Sequence, residues 1–89
     1  MNAKRYVVRG RVQGVGFRAF VQREADKLGI AGWVRNHENG DVEVYATGTA
    51  QQLADFGGRL WRGPRWSEVR DVDELEAEVQ ECSGFRIRM

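Results

Sequence analysis

AGWVRNHENGDVEVYAT, residues 31–47, holds two strand-like runs around one turn signal. Ala31 to Glu38 reads as one strand. Asp41 to Thr47 reads as another, because Val42, Val44 and Ala46 alternate with Asp41, Glu43 and Tyr45 at the period of two that gives a strand one buried face. Between them, Asn39-Gly40 tolerates the positive φ angles of a two-residue hairpin turn, so the two strands are predicted to pair antiparallel.

The flanking segments supply what could cover that hairpin. Upstream, Lys4 to Val12 alternates Tyr6, Val8 and Val12 with Arg5, Arg9 and Arg11, the pattern of a first strand. After a glycine-punctuated loop, Phe17, Phe20, Val21, Ala25 and Leu28 share one helical face, and Gly29 is placed to stop the helix. Downstream, Thr49 and Gln52 have the spacing of a capping box, followed by Leu53, Phe56, Leu60 and Trp61 on a helical face and by Gly63-Pro64 as a stop. Gly57 and Gly58 weaken this second helix by about 1 kcal/mol each relative to Ala, which predicts close packing or a bend there.

Glu68 to Glu81 is ambiguous. Val72, Leu75 and Val79 suit a helix, while Leu75, Ala77 and Val79 alternate as in a strand. Phe85, Ile87 and Met89 alternating with Arg86 and Arg88 give a short terminal strand. The order is βαββαβ with room for one further strand. It predicts an α+β, ferredoxin-like (split βαβ) sandwich: an antiparallel sheet of four to five strands with two helices on one face, in a single domain over residues 1–89.

Composition fits an ordinary globular protein, with 42% apolar and 30% charged residues in an 89-residue chain. No apolar run reaches the roughly 18 residues of a membrane span, and MNAKRYVVRG lacks the apolar stretch of a signal peptide, so a cytoplasmic location with no membrane partner is expected. Cys82 is the only cysteine, which rules out an internal disulfide and a multi-cysteine metal site and leaves a half-buried or surface thiol. The net charge of +1 is unevenly placed: residues 1–36 carry eight Lys/Arg against two Asp/Glu (+6), residues 37–89 six against eleven (−5). The first part looks built for anions.

The anion site suggested by the sequence is Gln13-Gly14-Val15-Gly16-Phe17-Arg18, between the first strand and the first helix. Its glycines allow successive amides to point inward as a nest at the positive end of a helix, and Arg18 adds a fixed charge with a bidentate donor. A plain glycine turn followed by a solvated arginine fits the same residues. Asn36 is the other polar residue of interest: its amide could place a water molecule without titrating, or could simply bond to hairpin backbone.

VRGRVQGVGFR at 8–18 and GWVRNHENGDVEVYATG at 32–48 together closely resemble the two signature patterns of the acylphosphatase family. The resemblance extends to chain length, element order and the Gly63-Pro64 that follows the second helix. It implies a phosphate cradle from the backbone amides of Gln13, Gly14, Val15, Gly16, Phe17 and Arg18, with Arg18 binding phosphate and Asn36 positioning the attacking water. It also implies that the acidic stretch from Glu68 is an edge strand. His37 departs from the pattern where some members carry a hydroxyl residue, and a surface or turn role is expected for it.

The implied substrate is an acyl phosphate, a mixed anhydride whose carboxylate departs without protonation. Such chemistry needs alignment and charge stabilisation rather than a general acid. No His, Cys or carboxylate cluster has metal-ligand spacing, so no metal and no cofactor is expected. The expected partner is the small substrate alone, with no nucleic acid, and the chain is expected to act as a monomer. Two other readings stand beside this one. One is a non-catalytic phosphate- or carbamoyl-phosphate-binding module. The other is an RNA-binding ferredoxin-like domain, suggested by the positive first part and by Trp33, Tyr45, Trp61 and Trp66; it would want solvent-facing aromatics on the middle strands in a basic aromatic motif, which is not found, and core and edge packing is expected for these rings instead.

Overall fold

The computed structural model describes all 89 residues. The elements are β1 (Asn2–Arg11), α1 (Phe17–Leu28), β2 (Ala31–Asn36), β3 (Val42–Gly48), α2 (Ala50–Arg62), β4 (Glu68–Ala77) and β5 (Phe85–Arg88). The strands form one sheet in the order β4-β1-β3-β2-β5. The ferredoxin-like α+β fold expected from the sequence is the fold present. Its sheet is mixed rather than wholly antiparallel, because β5 joins the outer side of β2 in parallel.

This topology decides where a site can form. β1 and β2 each pair antiparallel with β3 and therefore run parallel to one another, and β5 runs parallel to β2. The C-terminal ends of β1, β2 and β5 thus lie at one end of the sheet, and α1, which follows β1, starts there too.

Both helices use their apolar stripes to cover one face of the sheet. Phe17, Phe20, Val21 and Ala25 of α1 and Leu53, Phe56 and Leu60 of α2 are buried with Tyr6, Val8, Val34, Val42 and Val44 from the strands. Each large apolar side chain removed from water contributes about 1.5–3 kcal/mol relative to exposure. Tyr6 meets Phe56 edge-on, with centroids 5.7 Å apart, and its buried hydroxyl donates to Leu53 O at 3.1 Å. Thr49 and Gln52 form the predicted capping box. Gly57 is buried against Tyr6, meeting the close-packing expectation, and Gly58 faces open space.

The acidic stretch resolves as the edge strand β4, but only to Ala77. Its pairing with β1 shifts register between Arg9 and Gly10. A Cβ on Gly10 would lie 2.1 Å from Glu68 O, so only glycine admits this close approach of β4.

Two expectations need correction. The hairpin turn is not a two-residue one: five residues separate the end of β2 at Asn36 from the start of β3 at Val42, His37 N donates to Asp41 O and so closes a three-residue turn over 38–40, Gly40 N donates to His37 O, and only Gly40 takes positive φ. A two-residue turn of the predicted kind needs positive φ at Asn39 as well, which is not found. Secondly, Trp61 and Trp66 are 47% and 79% exposed rather than packed, because Trp61 falls one residue beyond the buried stripe that ends at Leu60. Trp33 and Tyr45 do pack, stacked at 5.9 Å on the face away from the helices. His37 lies in the turn, as expected, and its ring also meets Glu43, as described below.

Candidate active site

At the end of the sheet where β1, β2 and β5 finish, a cavity of about 220 Å³ opens beside the start of α1. Val12, Gln13, Gly14, Gly16, Phe17, Arg18, Ala19, Asn36 and Ile87 line it. Five residues singled out from the sequence, Gln13, Gly14, Gly16, Phe17 and Arg18, therefore meet there with Asn36. Val15 does not line the cavity.

The loop is shaped by two glycines. Gly14 has φ 75° and Gly16, the N-cap of α1, has φ 77° and ψ 23°, a left-handed conformation that residues with a Cβ adopt at a cost. No atom lies within 4 Å of a Cβ placed on either, so the requirement is for backbone angle and not for room.

The amides of residues 13–18 donate to no backbone carbonyl. Moreover, the N-cap has no capping side chain, and the first turn of α1 carries no acidic residue. A 12-residue helix thus presents its positive end uncompensated to the cavity wall. Such an end with free amides binds anions.

Arg18 sits in the first turn of α1 and is half-buried; its Nη1 reaches Arg88 O at 3.4 Å, so the guanidinium rests against the end of β5. No carboxylate lines the cavity, and the charge of Arg18 is not paired there. Asn36, the last residue of β2, faces the helix side of the sheet with Val34. Its Oδ1 is buried and has no hydrogen-bond partner. An orphaned buried acceptor costs about 1–3 kcal/mol, and a water or a substrate group in the cavity would satisfy it.

Behind the cavity lies a network the sequence did not reveal. Glu43, 3% exposed, accepts from Arg5 Nη2 at 2.7 Å and Arg35 Nε at 2.9 Å, and its Oε1 lies 2.7 Å from His37 Nε2. Burial pushes the Glu43 carboxyl up, but the hydrogen bonds from His37, Arg5 and Arg35 outweigh it and hold the group below the ordinary carboxylate range. Glu24 of α1 is also buried, with Arg59 Nη1 at 2.9 Å and Lys27 Nζ at 3.2 Å; there too the bonds outweigh desolvation and lower its pKa.

Ile87 was not singled out as a site residue. The signal was present, since Phe85 and Ile87 alternate with arginines and so share the helix-side face. What the sequence lacked was the parallel pairing of β5 with β2, which sets Ile87 opposite Val34 and so on the wall of the cavity that Asn36 also lines. No three or more His, Cys, Asp or Glu side chains converge as a metal site would need.

Comparison with known proteins agrees with the geometry. The acylphosphatase family profile matches residues 4–87. An acylphosphatase of Solibacter usitatus is 54% identical over 86 residues, covering 97% of this chain and 90% of that protein. The crystal structure of acylphosphatase from Bacillus subtilis superposes with a TM-score of 0.98 at 42% identity, covering all of both chains. A full-length HypF in its phosphate- and nucleotide-bound form matches with a TM-score of 0.87 at 32% identity, over 99% of this chain but 12% of its own length.

Proposed function

The chain belongs to the acylphosphatase family and is an acylphosphatase, and we propose that it works by direct attack of water on a phosphate held by the 13–18 amides and Arg18. The observation that carries this reading is the buried, partnerless Oδ1 of Asn36, a residue that lines the same cavity as the uncapped start of α1. One group there suits an anion and the other suits a water.

In this reading the substrate's phosphate oxygens accept from the loop amides and from Arg18, which together stabilise the charge of the transferring group. Asn36 Oδ1 accepts one hydrogen of the attacking water and leaves a lone pair free for phosphorus. The water oxygen bonds to phosphorus as the bond to the acyl oxygen breaks, and the electron pair leaves on the carboxylate. A phosphate oxygen takes the second proton of the water. The leaving carboxylate has a pKa near 4, so no general acid is required, and a loose transition state places most of the demand on alignment.

Water attack without a metal is supported by the cavity lining, which contains no carboxylate, thiol or imidazole. Turnover is therefore expected to survive a chelator. The same reading has the chain acting as a cytoplasmic monomer on a small acyl phosphate, without membrane or nucleic-acid partners. No helix is long and apolar enough to cross a membrane. Tyr45 on the open sheet face is buried beneath Trp33, and its hydroxyl is tied to Glu78 O at 2.6 Å and Gln80 N at 2.8 Å, so it is not free to stack on a base.

Benzoyl phosphate tests the reading. The purified chain should hydrolyse it, with and without chelator, and Arg18→Ala should do so at least about 10²-fold more slowly. Phosphate binding without turnover would favour a binding module. A nucleic-acid mobility shift without turnover would favour the RNA reading.

A further inference from the structure

Gln13 lies in the phosphate loop, but its side chain reaches across to the hairpin that carries Asn36. Its Nε2 donates to His37 O at 2.7 Å and to Asp41 O at 2.9 Å. We propose that Gln13 is a positioning residue that fixes the phosphate cradle relative to Asn36, resting on the roles assigned to both above.

The sheet itself does not make this connection. β1, which leads into the cradle, and β2, which ends in Asn36, are not neighbours, since β3 runs between them. The β1–β3 ladder ends at Val8↔Val42, and the β2–β3 ladder ends at Asn36↔Val42. Beyond Val42, β1 stays paired with β4 as far as Arg11, but no backbone hydrogen bond joins the segment leading to the cradle to the hairpin connection. The two bonds from Gln13 span that gap. The only other side-chain link across it is the longer ion pair of Arg9 Nε with Asp41 Oδ2, 3.6 Å apart.

The acceptors Gln13 uses are themselves fixed. Asp41 O also accepts from His37 N at 2.8 Å, the bond that closes the hairpin connection. The His37 ring is held against buried Glu43. Gln13 thus ties a loop, whose two glycines make it pliable, to a point one residue from Asn36 that is bonded on three sides. In-line attack requires the water on Asn36 and the phosphate on the amides to stay aligned, and a misplacement of about 1 Å costs about 10²-fold in rate.

The test is a double-mutant cycle with Gln13→Met, which keeps the side-chain length and removes both donors. Acting through alignment, it should lower kcat on benzoyl phosphate by about 10- to 100-fold, with little change in inhibition by inorganic phosphate. In an Asn36→Ala background it should change kcat by less than about threefold, because there is no placed water left to misalign. Equal losses in both backgrounds, or wild-type kcat in the single variant, would overturn the proposal. Gln13→Glu gives a second reading should the Met variant fail to fold. Its carboxylate would repel both carbonyl oxygens at neutral pH and could donate to one of them when protonated, so activity relative to wild type should rise as pH falls. A ratio that does not vary with pH would count against the brace. If Asn36→Ala alone keeps full kcat, the assigned mechanism fails and the brace with it. If only the Gln13 variants behave as wild type, the brace alone fails.

Discussion

His37 Nε2 lies 2.7 Å from Glu43 Oε1, on the opposite face of the sheet from the residue that precedes it, Asn36. One turn of the chain therefore carries a cavity residue on the helix side and an anchored ring on the other. Glu43 gathers Arg5, Arg35 and His37 around a buried carboxylate whose pKa is lowered.

Glu43→Gln should therefore destabilise the fold by about 1–2 kcal/mol at neutral pH, below the cost for a fully buried pair because Arg5 and Arg35 are nearly half exposed. The sign with pH follows from the lowered pKa. Below the unfolded value, about 4.3, the unfolded chain takes up a proton first and the stabilisation fades as pH drops through the folded value. Urea unfolding at pH 7 and at pH 3 should show a wild-type advantage over Glu43→Gln that is larger at pH 7 than at pH 3.

Gly16→Ala should separate backbone angle from space in the cradle. The site has φ 77° and nothing within 4 Å of an added Cβ, so the variant should fold, with a stability loss of about 1–2 kcal/mol from the left-handed conformation. Because relief of that strain would turn the loop amides, inhibition by inorganic phosphate should weaken. Unchanged inhibition would mean that the loop amides do not hold the phosphate.

Arg18→Ala should lower kcat by at least about 10²-fold and weaken phosphate binding, as expected for removal of a charge-stabilising donor. Arg18→Lys should recover only part of that loss, since the ammonium restores the charge but not the paired donors of the guanidinium. Full recovery in the lysine variant would reduce the role of Arg18 to a point charge.

The hairpin, the capping box and the two helical stripes were legible because each depends on residues close together in the chain. The detail of the turn was not: Asn39-Gly40 fits both a two- and a three-residue connection, and the choice follows from where the β2–β3 ladder ends, at Asn36↔Val42. Periodicity put Glu43 opposite Val42 and Val44, on the correct face, but the face was expected to be solvated. Arg5 on β1 and Arg35 on β2, far apart in sequence, close over it. Trp61 shows the same limit from the other side, since a stripe read with one residue of tolerance took an exposed ring into the core.

At the site, the glycine spacing and Arg18 suggested an anion, and family resemblance supplied the water. The structure brings Asn36 and the loop into one cavity because β1 and β2 run parallel on either side of β3, a relationship no local pattern encodes.

The most direct test of the central claim is Asn36→Ala, assayed for kcat on benzoyl phosphate and for inhibition by inorganic phosphate in the same preparation. With water placed by Asn36 and phosphate held by the loop and Arg18, kcat should fall by about 10²-fold or more while phosphate inhibition stays within about threefold of wild type. Undiminished kcat, or a parallel loss of phosphate inhibition, would contradict the account.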